Sequence, residues 1–155
     1  MTTYSFLEAK QKLEVLCAYQ ERCSFDLEKK MKSWNLDAED RGQLLAHLIE
    51  NNFLNEERYA EAFVSGKVNI KRWGRIKIRQ HLKQKFISDY SIKKAMASID
   101  EDLYVNNINH LSLKKYESLQ GSNNYQKKVK IFRYLASKGY EQDLFFESVN
   151  RLFGD

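Results

Sequence analysis

The feature that most constrains this chain is an internal repeat written in helical periodicity. If Met31, Leu82 and Leu135 are set as equivalent, the copies stand 51 and 53 residues apart. Leu36, Ile87 and Tyr140 then fall five residues later, and Asp37, Ser88 and Glu141 open the next helix in each copy. Further along lie Arg41, Ile92 and Phe145, then Leu45, Met96 and Val149, then Leu48, Ile99 and Leu152. Apolar residues at that spacing share one face of a helix. Arg41 is the one poor match. A unit of about fifty residues is too small to bury a large core alone, so neighbouring units must pack on one another.

Read along the chain, the pattern predicts nine helices. Ser5 with Glu8 forms a capping box ahead of Ala9, Leu13, Leu16 and Cys17. Ser24, Asp37 and Ser88 are the expected caps of the second, third and sixth helices, and Asn55 starts the fourth. The fifth runs from about Trp73 to Lys85, with Ile78 and Leu82 inward. On that wheel Lys77, His81 and Gln84 lie opposite the core, and Arg75, Arg79 and Lys83 occupy one shoulder. The acidic run Asp100-Glu101-Asp102 caps a long seventh helix, and Gly121-Ser122-Asn123-Asn124 breaks the chain before the eighth. Asn35 and Gly139 suit the left-handed turn that ends a helix; Phe86, at the matching place, does not. The absence of proline agrees with helices joined by short connections.

The expected fold is therefore all-α: three tandem three-helix repeats forming an elongated, curved right-handed or solenoid-like body. The repeats span residues 1–51, 52–99 (basic) and 100–155.

Charge is distributed unevenly over that frame. Between Ala62 and Ser88 lie Lys67, Lys71, Arg72, Arg75, Lys77, Arg79, Lys83 and Lys85, with no Asp or Glu. The whole chain carries +5, so the remainder sums to −3. An ordinary solvated helix mixes signs, because opposite charges four residues apart support each other. Here Arg75, Arg79 and Lys83 repeat at that spacing without acidic relief, which marks a surface that meets an anion, nucleic acid or an acidic protein groove. These eight residues are the expected binding site. Trp73 could stack on a base or anchor the helix start by packing, and Gly74 is expected to supply a special backbone angle.

Other chemistry finds no support. His47, His81 and His110 are scattered, with no HExxH or Cys-His spacing, so no metal site is expected. Neither phosphate-loop glycine motif occurs, so no nucleotide and no cofactor is expected. Glu56 and Glu57 are placed as partners of a helix N-terminus rather than as an acid–base pair. Cys17 and Cys23 read as reduced thiols. With no signal-peptide pattern after Met1 and no long apolar run, a cytoplasmic protein that does not meet the membrane is expected.

Three stretches resemble a known family. Phe53-Leu54-Asn55-Glu56-Glu57-Arg58-Tyr59-Ala60-Glu61-Ala62-Phe63-Val64 is similar to the central signature of the RecX family of bacterial recombination regulators, G-Y-L-D-D-E-R-F-A followed by an aromatic and Val. Arg72-Trp73-Gly74-Arg75-Ile76-Lys77-Ile78-Arg79-Gln80-His81-Leu82-Lys83-Gln84-Lys85 resembles the family's second signature, a Gly before a basic helix ending L-x-x-K-G. Cys23-Ser24-Phe25-Asp26-Leu27-Glu28-Lys29-Lys30-Met31 resembles R-S-x-x-E-L-x-x-K-L at the start of its first repeat. Residues 101–124 match least. Asn52 replaces a Gly, Glu56 an Asp and Phe86 a Gly, and no Pro follows Gly74. The resemblance implies a non-enzymatic, monomeric regulator that lies in the groove of the RecA recombinase filament on single-stranded DNA. It would inhibit filament extension, ATP hydrolysis and strand exchange. The competing reading is a helical DNA-binding protein without a recombinase partner.

Overall fold

The computed structural model describes residues 3–154. Among them nine helices and no strand occur: α1 (Phe6–Tyr19), α2 (Ser24–Ser33), α3 (Ala38–Glu50), α4 (Glu56–Asn69), α5 (Arg75–Gln84), α6 (Asp89–Met96), α7 (Glu101–Ser118), α8 (Asn124–Ser137) and α9 (Gln142–Arg151). The helix starts follow from their caps. Ser5 and Glu8 bond each other's backbone N–H groups at 3.2 and 3.0 Å. Asp37 accepts from Asp40 N–H, Asn55 from Arg58 N–H, Ser88 from Ser91 N–H and Asp100 from Asp102 N–H. Each satisfies a donor that the first helical turn leaves without an internal partner. One start differs from expectation. Ser24 is the first residue of α2, and Cys23 holds the cap position without a side-chain bond.

The repeat is visible in hydrogen bonds. The same six-residue closure ends the second helix of each copy: Leu36 N–H donates to Met31 carbonyl (3.3 Å), Ile87 to Leu82 (3.1 Å) and Tyr140 to Leu135 (3.2 Å). This bond requires a left-handed residue between them. Asn35, Phe86 and Gly139 take that place with φ of 62°, 59° and 94°. Phe86 thus adopts the conformation that its Cβ disfavours, with its ring 78% exposed and 5.4 Å from the Phe25 ring. Arg41, the mismatch of the repeat, also has a local reason. Its guanidinium donates to Glu28 at 2.7 Å and to the Leu36 carbonyl at 2.7 Å, tying α3 to α2 and to the turn, where the other copies bury Ile92 and Phe145.

The helices form two compact units. The first holds the described residues up to Ala62 together with Leu82–Lys94; the second holds Phe63–His81 and the described residues from Ala95 onward. The first unit has a core of Leu13, Leu27, Met31, Leu44 and Leu48, each almost inaccessible, with Trp34 and Leu54 at its margin. The second packs Tyr104, Ile108, Ile131, Leu135, Tyr140, Phe145 and Val149. Each such aliphatic or aromatic side chain contributes about 1.5–3 kcal/mol on burial. No helix among the described residues is long and apolar enough to cross a membrane.

Candidate functional site

The basic segment is not uniform. Its charges divide into those the fold consumes and those it leaves open. Arg75, the first residue of α5, is consumed most fully. Its side chain is only 17% exposed. It forms an ion pair with Glu141 at 2.9 Å and a second, short one with Glu101, and it stacks its guanidinium 4.0 Å from the centre of the Tyr104 ring. Tyr104 in turn accepts the Arg75 backbone N–H at 2.8 Å and donates its hydroxyl to Glu141. Burial works to lower the Arg75 pKa, but the bonds it donates to Glu101 and Glu141 outweigh it and hold the group more firmly charged than usual. Burial, then the bond to Glu141, pushes the Tyr104 hydroxyl well above the ordinary phenol range.

In the first unit, Lys85 pairs with Asp26 at 2.6 Å, and Lys83 lies 3.9 Å from Asp89. The remaining five predicted residues, Lys67, Lys71, Arg72, Lys77 and Arg79, belong to the second unit. Among the described residues, none of these five has a carboxylate within ion-pair distance.

Trp73 organises two of them. Lys67 and Lys77 bring their ammonium groups to 4.5 and 4.3 Å from its ring centre. Phe63 meets it edge-on at 6.4 Å, and His81 lies 4.6 Å away at 56°. Lys77 and His81 are accordingly half-buried, not turned fully away from the core as the helical wheel suggested. Cation–π contact of this kind fixes a lysine head without neutralising it.

Gly74 acts by proximity. Its φ is not positive; the left-handed residue nearby is Arg72, at 53°. This corrects the expectation of a special angle at Gly74. A Cβ there would collide with the carbonyl group of Gly139 and the backbone nitrogen of Tyr140. The bare backbones approach closely enough for Gly74 N–H to donate to the Lys138 carbonyl (2.7 Å) and Ile76 N–H to the Gly139 carbonyl (3.0 Å). The Tyr140 hydroxyl closes the junction on the Arg72 carbonyl at 2.8 Å. The third repeat's turn therefore serves as the partner of the α5 N-terminus.

Lys138, which the sequence reading did not single out, comes with that turn. It is half-buried, and its pKa is pushed down, first by burial and then by the nearby charges of Lys77 and Lys71. The only sequence signal that could have found it is the equivalence of Gly139 with Asn35 and Phe86, which marks 138–140 as a tight turn.

Comparison with known proteins decides the family. Residues 55–96 match the second three-helix domain of RecX, and residues 102–147 match the third, together more than half of the chain. The chain belongs to the RecX family. The regulatory protein RecX of Clostridioides difficile is 25% identical over 147 residues, 95% of this chain and 69% of that protein. That of Clostridium perfringens is 31% identical over 129 residues, covering 82% of this chain and 60% of the relative. The chain thus spans roughly two thirds of the length of these curated relatives. A crystal structure of a regulatory protein RecX superposes with a TM-score of 0.85 at 23% identity, covering 94% of this chain and 73% of the other, and so shares the fold.

The family's signature positions are explained by local contacts. Asn52, standing for a Gly, takes φ of 61° and accepts from Arg58 at 2.8 Å. Arg58 also binds Glu21 and the carbonyls of Asn52 and Phe53, locking the turn before α4. Glu56, standing for an Asp, receives the hydroxyls of Ser88 and Ser91 at 2.8 and 2.7 Å. Burial raises the Glu56 pKa, and the bonds from Ser91 and Ser88 more than reverse that.

Proposed function

We propose that this chain is a non-enzymatic, cytoplasmic regulator that binds the RecA recombinase filament on single-stranded DNA and restrains filament extension, ATP hydrolysis and strand exchange. Membership of a family of regulatory proteins supports the reading. The observation that carries it is the set of five cationic side chains in the second unit, Lys67, Lys71, Arg72, Lys77 and Arg79, that find no carboxylate within the described chain. Five open charges on one segment suit a phosphate backbone or an acidic groove, and their contacts are sequence-blind and salt-sensitive. Arg75 has a separate part: it holds the segment in place through Glu101 and Glu141. Repeats bounded at 1–51, 52–99 and 100–155 present these groups, with the charged one in the middle.

The test is single-stranded-DNA-dependent ATP hydrolysis by the cognate recombinase, with the chain added below the recombinase concentration. A fall in rate at sub-stoichiometric addition is expected. It should be lost when Lys71 and Arg79 are both changed to Glu. An unchanged rate with oligonucleotide binding intact would overturn the regulator reading and leave a DNA-binding protein without a recombinase partner.

A further inference from the structure

Lys138 lies outside the basic segment, at the C-cap of α8, yet the fold carries it to that segment. The Gly74 N–H bond to its carbonyl fixes its backbone, and the next residue, Gly139, rests against Lys77. Lys77 cannot swing freely, since its head lies over Trp73. Lys71 precedes Arg72, whose carbonyl accepts the Tyr140 hydroxyl at 2.8 Å, so the chain brings it beside the same turn, and its charge, like that of Lys77, opposes that of Lys138. Among the described residues no carboxylate pairs with Lys71, Lys77 or Lys138. Glu141, only three residues from Lys138, is taken by Arg75 and Tyr104. Lys71 and Lys77 thus set two positive charges near Lys138 at one turn, and the nearest acid in sequence is spent elsewhere.

We infer that Lys71, Lys77 and Lys138 form a phosphate-accepting site for the backbone of single-stranded nucleic acid. The inference rests on the proposal that the chain meets such DNA, and it adds a residue from the third repeat to the contact. Lysines are compact charges with three donors each, able to meet the oxygens of a phosphodiester as point charges. Trp73 acts as a positioning residue: Lys67, Lys77, Phe63 and His81 surround its ring, and it holds the two lysine heads in place.

The experiment measures binding of a fluorescent oligothymidylate to the full chain over a range of salt concentrations. For single strands the slope of log K against log salt changes by about 0.7 for each phosphate contact. Lys138→Gln and Lys71→Gln should each flatten the slope by about that amount. Lys114→Gln, an exposed lysine of α7 in the same unit, should leave it unchanged. Neither test residue's ammonium group makes a hydrogen bond or ion pair among the described residues, so far-UV circular dichroism should match wild type in both. A Lys138→Gln slope equal to that of Lys114→Gln overturns the site, as does the absence of any oligonucleotide binding by the wild type. Equal competition by polyglutamate, equally weakened by Lys138→Gln, would also overturn it by making the ligand a carboxylate. The recombinase assay separates the two proposals. Sub-stoichiometric inhibition with an unaltered Lys138→Gln slope removes this site alone, and no inhibition by wild type removes the regulator reading.

Discussion

Replacing Gly74 by Ala tests the junction on which the open charges depend. The new methyl would fall inside contact distance of the Gly139 carbonyl carbon and oxygen and the Tyr140 nitrogen. All three are backbone atoms, so no side-chain rotation relieves the overlap. Either the α5 N-terminus or the 138–140 turn must shift. A shift weakens the bonds from Gly74 N–H to Lys138 (2.7 Å) and from Ile76 N–H to Gly139 (3.0 Å). Two backbone bonds represent about 1 kcal/mol each, and forcing a group into a filled space costs about 1–3 kcal/mol. Together these give a loss of about 3–5 kcal/mol, against a total stability of about 5–15 kcal/mol for a domain.

The assay is urea unfolding combined with amide hydrogen exchange at Ile76. The expected result is a lower midpoint and much faster exchange at that amide. Gly139→Ala should act in the same direction, since Gly139 has φ of 94° and an added methyl would stand 2.6 Å from the Lys77 nitrogen. Gly66→Ala, inside α4 with nothing within 4 Å, is the control and should stabilise by about 0.5–1 kcal/mol. A loss below about 1 kcal/mol in Gly74→Ala, with Ile76 still protected, would refute the reasoning.

Three further outcomes follow from the same contacts. Phe86→Gly should raise the thermal midpoint by the equivalent of about 0.5–1 kcal/mol, because relief of the left-handed strain exceeds the loss of the Phe25 contact; a lower midpoint would show that the exposed ring packs better than its geometry indicates. Arg75→Gln should cost about 2 kcal/mol in urea titration by stranding Glu141 and Tyr104, while Arg79→Gln stays within about 0.5 kcal/mol; equal effects would refute the division of charges. Stability should fall above about pH 10, measured as urea midpoints across pH 8.5–11. Tyr104 and Tyr140 have pKa values raised in the fold, so an unfolded chain loses phenol protons first, near pH 10. The contribution is complete below that pH, and Tyr104→Phe should make the decline shallower.

The sequence disclosed the parts of the fold that depend on neighbours along the chain. Ser5, Asp37, Asn55, Ser88 and Asp100 all cap as expected, because a cap needs only a short polar side chain three residues or so before a free N–H. The repeat register was legible because Met31, Leu82 and Leu135 and their followers recur on buried faces. Interactions between distant residues were not legible. Arg75 reads as one more exposed base on a helix shoulder, and only the fold reveals Glu141, sixty-six residues on, as its partner. Periodicity reports which face is buried; it carries no information on which charges meet. The misreading of Gly74 has the same origin, since a glycine needed for close approach and one needed for a positive φ look identical in sequence.

The three left-handed turns show how a duplicated fold acquires a local task. All three copies require the same six-residue closure, and Asn35, Phe86 and Gly139 each provide it. Only a glycine also permits another backbone to lie against it, and only the third copy has one. Gly139 is therefore constrained twice, by its own φ and by the α5 N-terminus. Seating α5 there brings Arg75 to Glu101 and Glu141, which removes one base and two acids from the surface balance. One of the acids so consumed, Glu141, stands three residues from Lys138. Structural pairing and open charge thus meet at one junction: the ion pairs that fix the segment occupy Glu101 and Glu141, while Lys71, Lys77 and Lys138 keep no carboxylate partner among the described residues. A chain in which Glu141 were changed to Gln would test that link directly, since Arg75 would lose its 2.9 Å partner and the junction would loosen even though the net positive charge had risen.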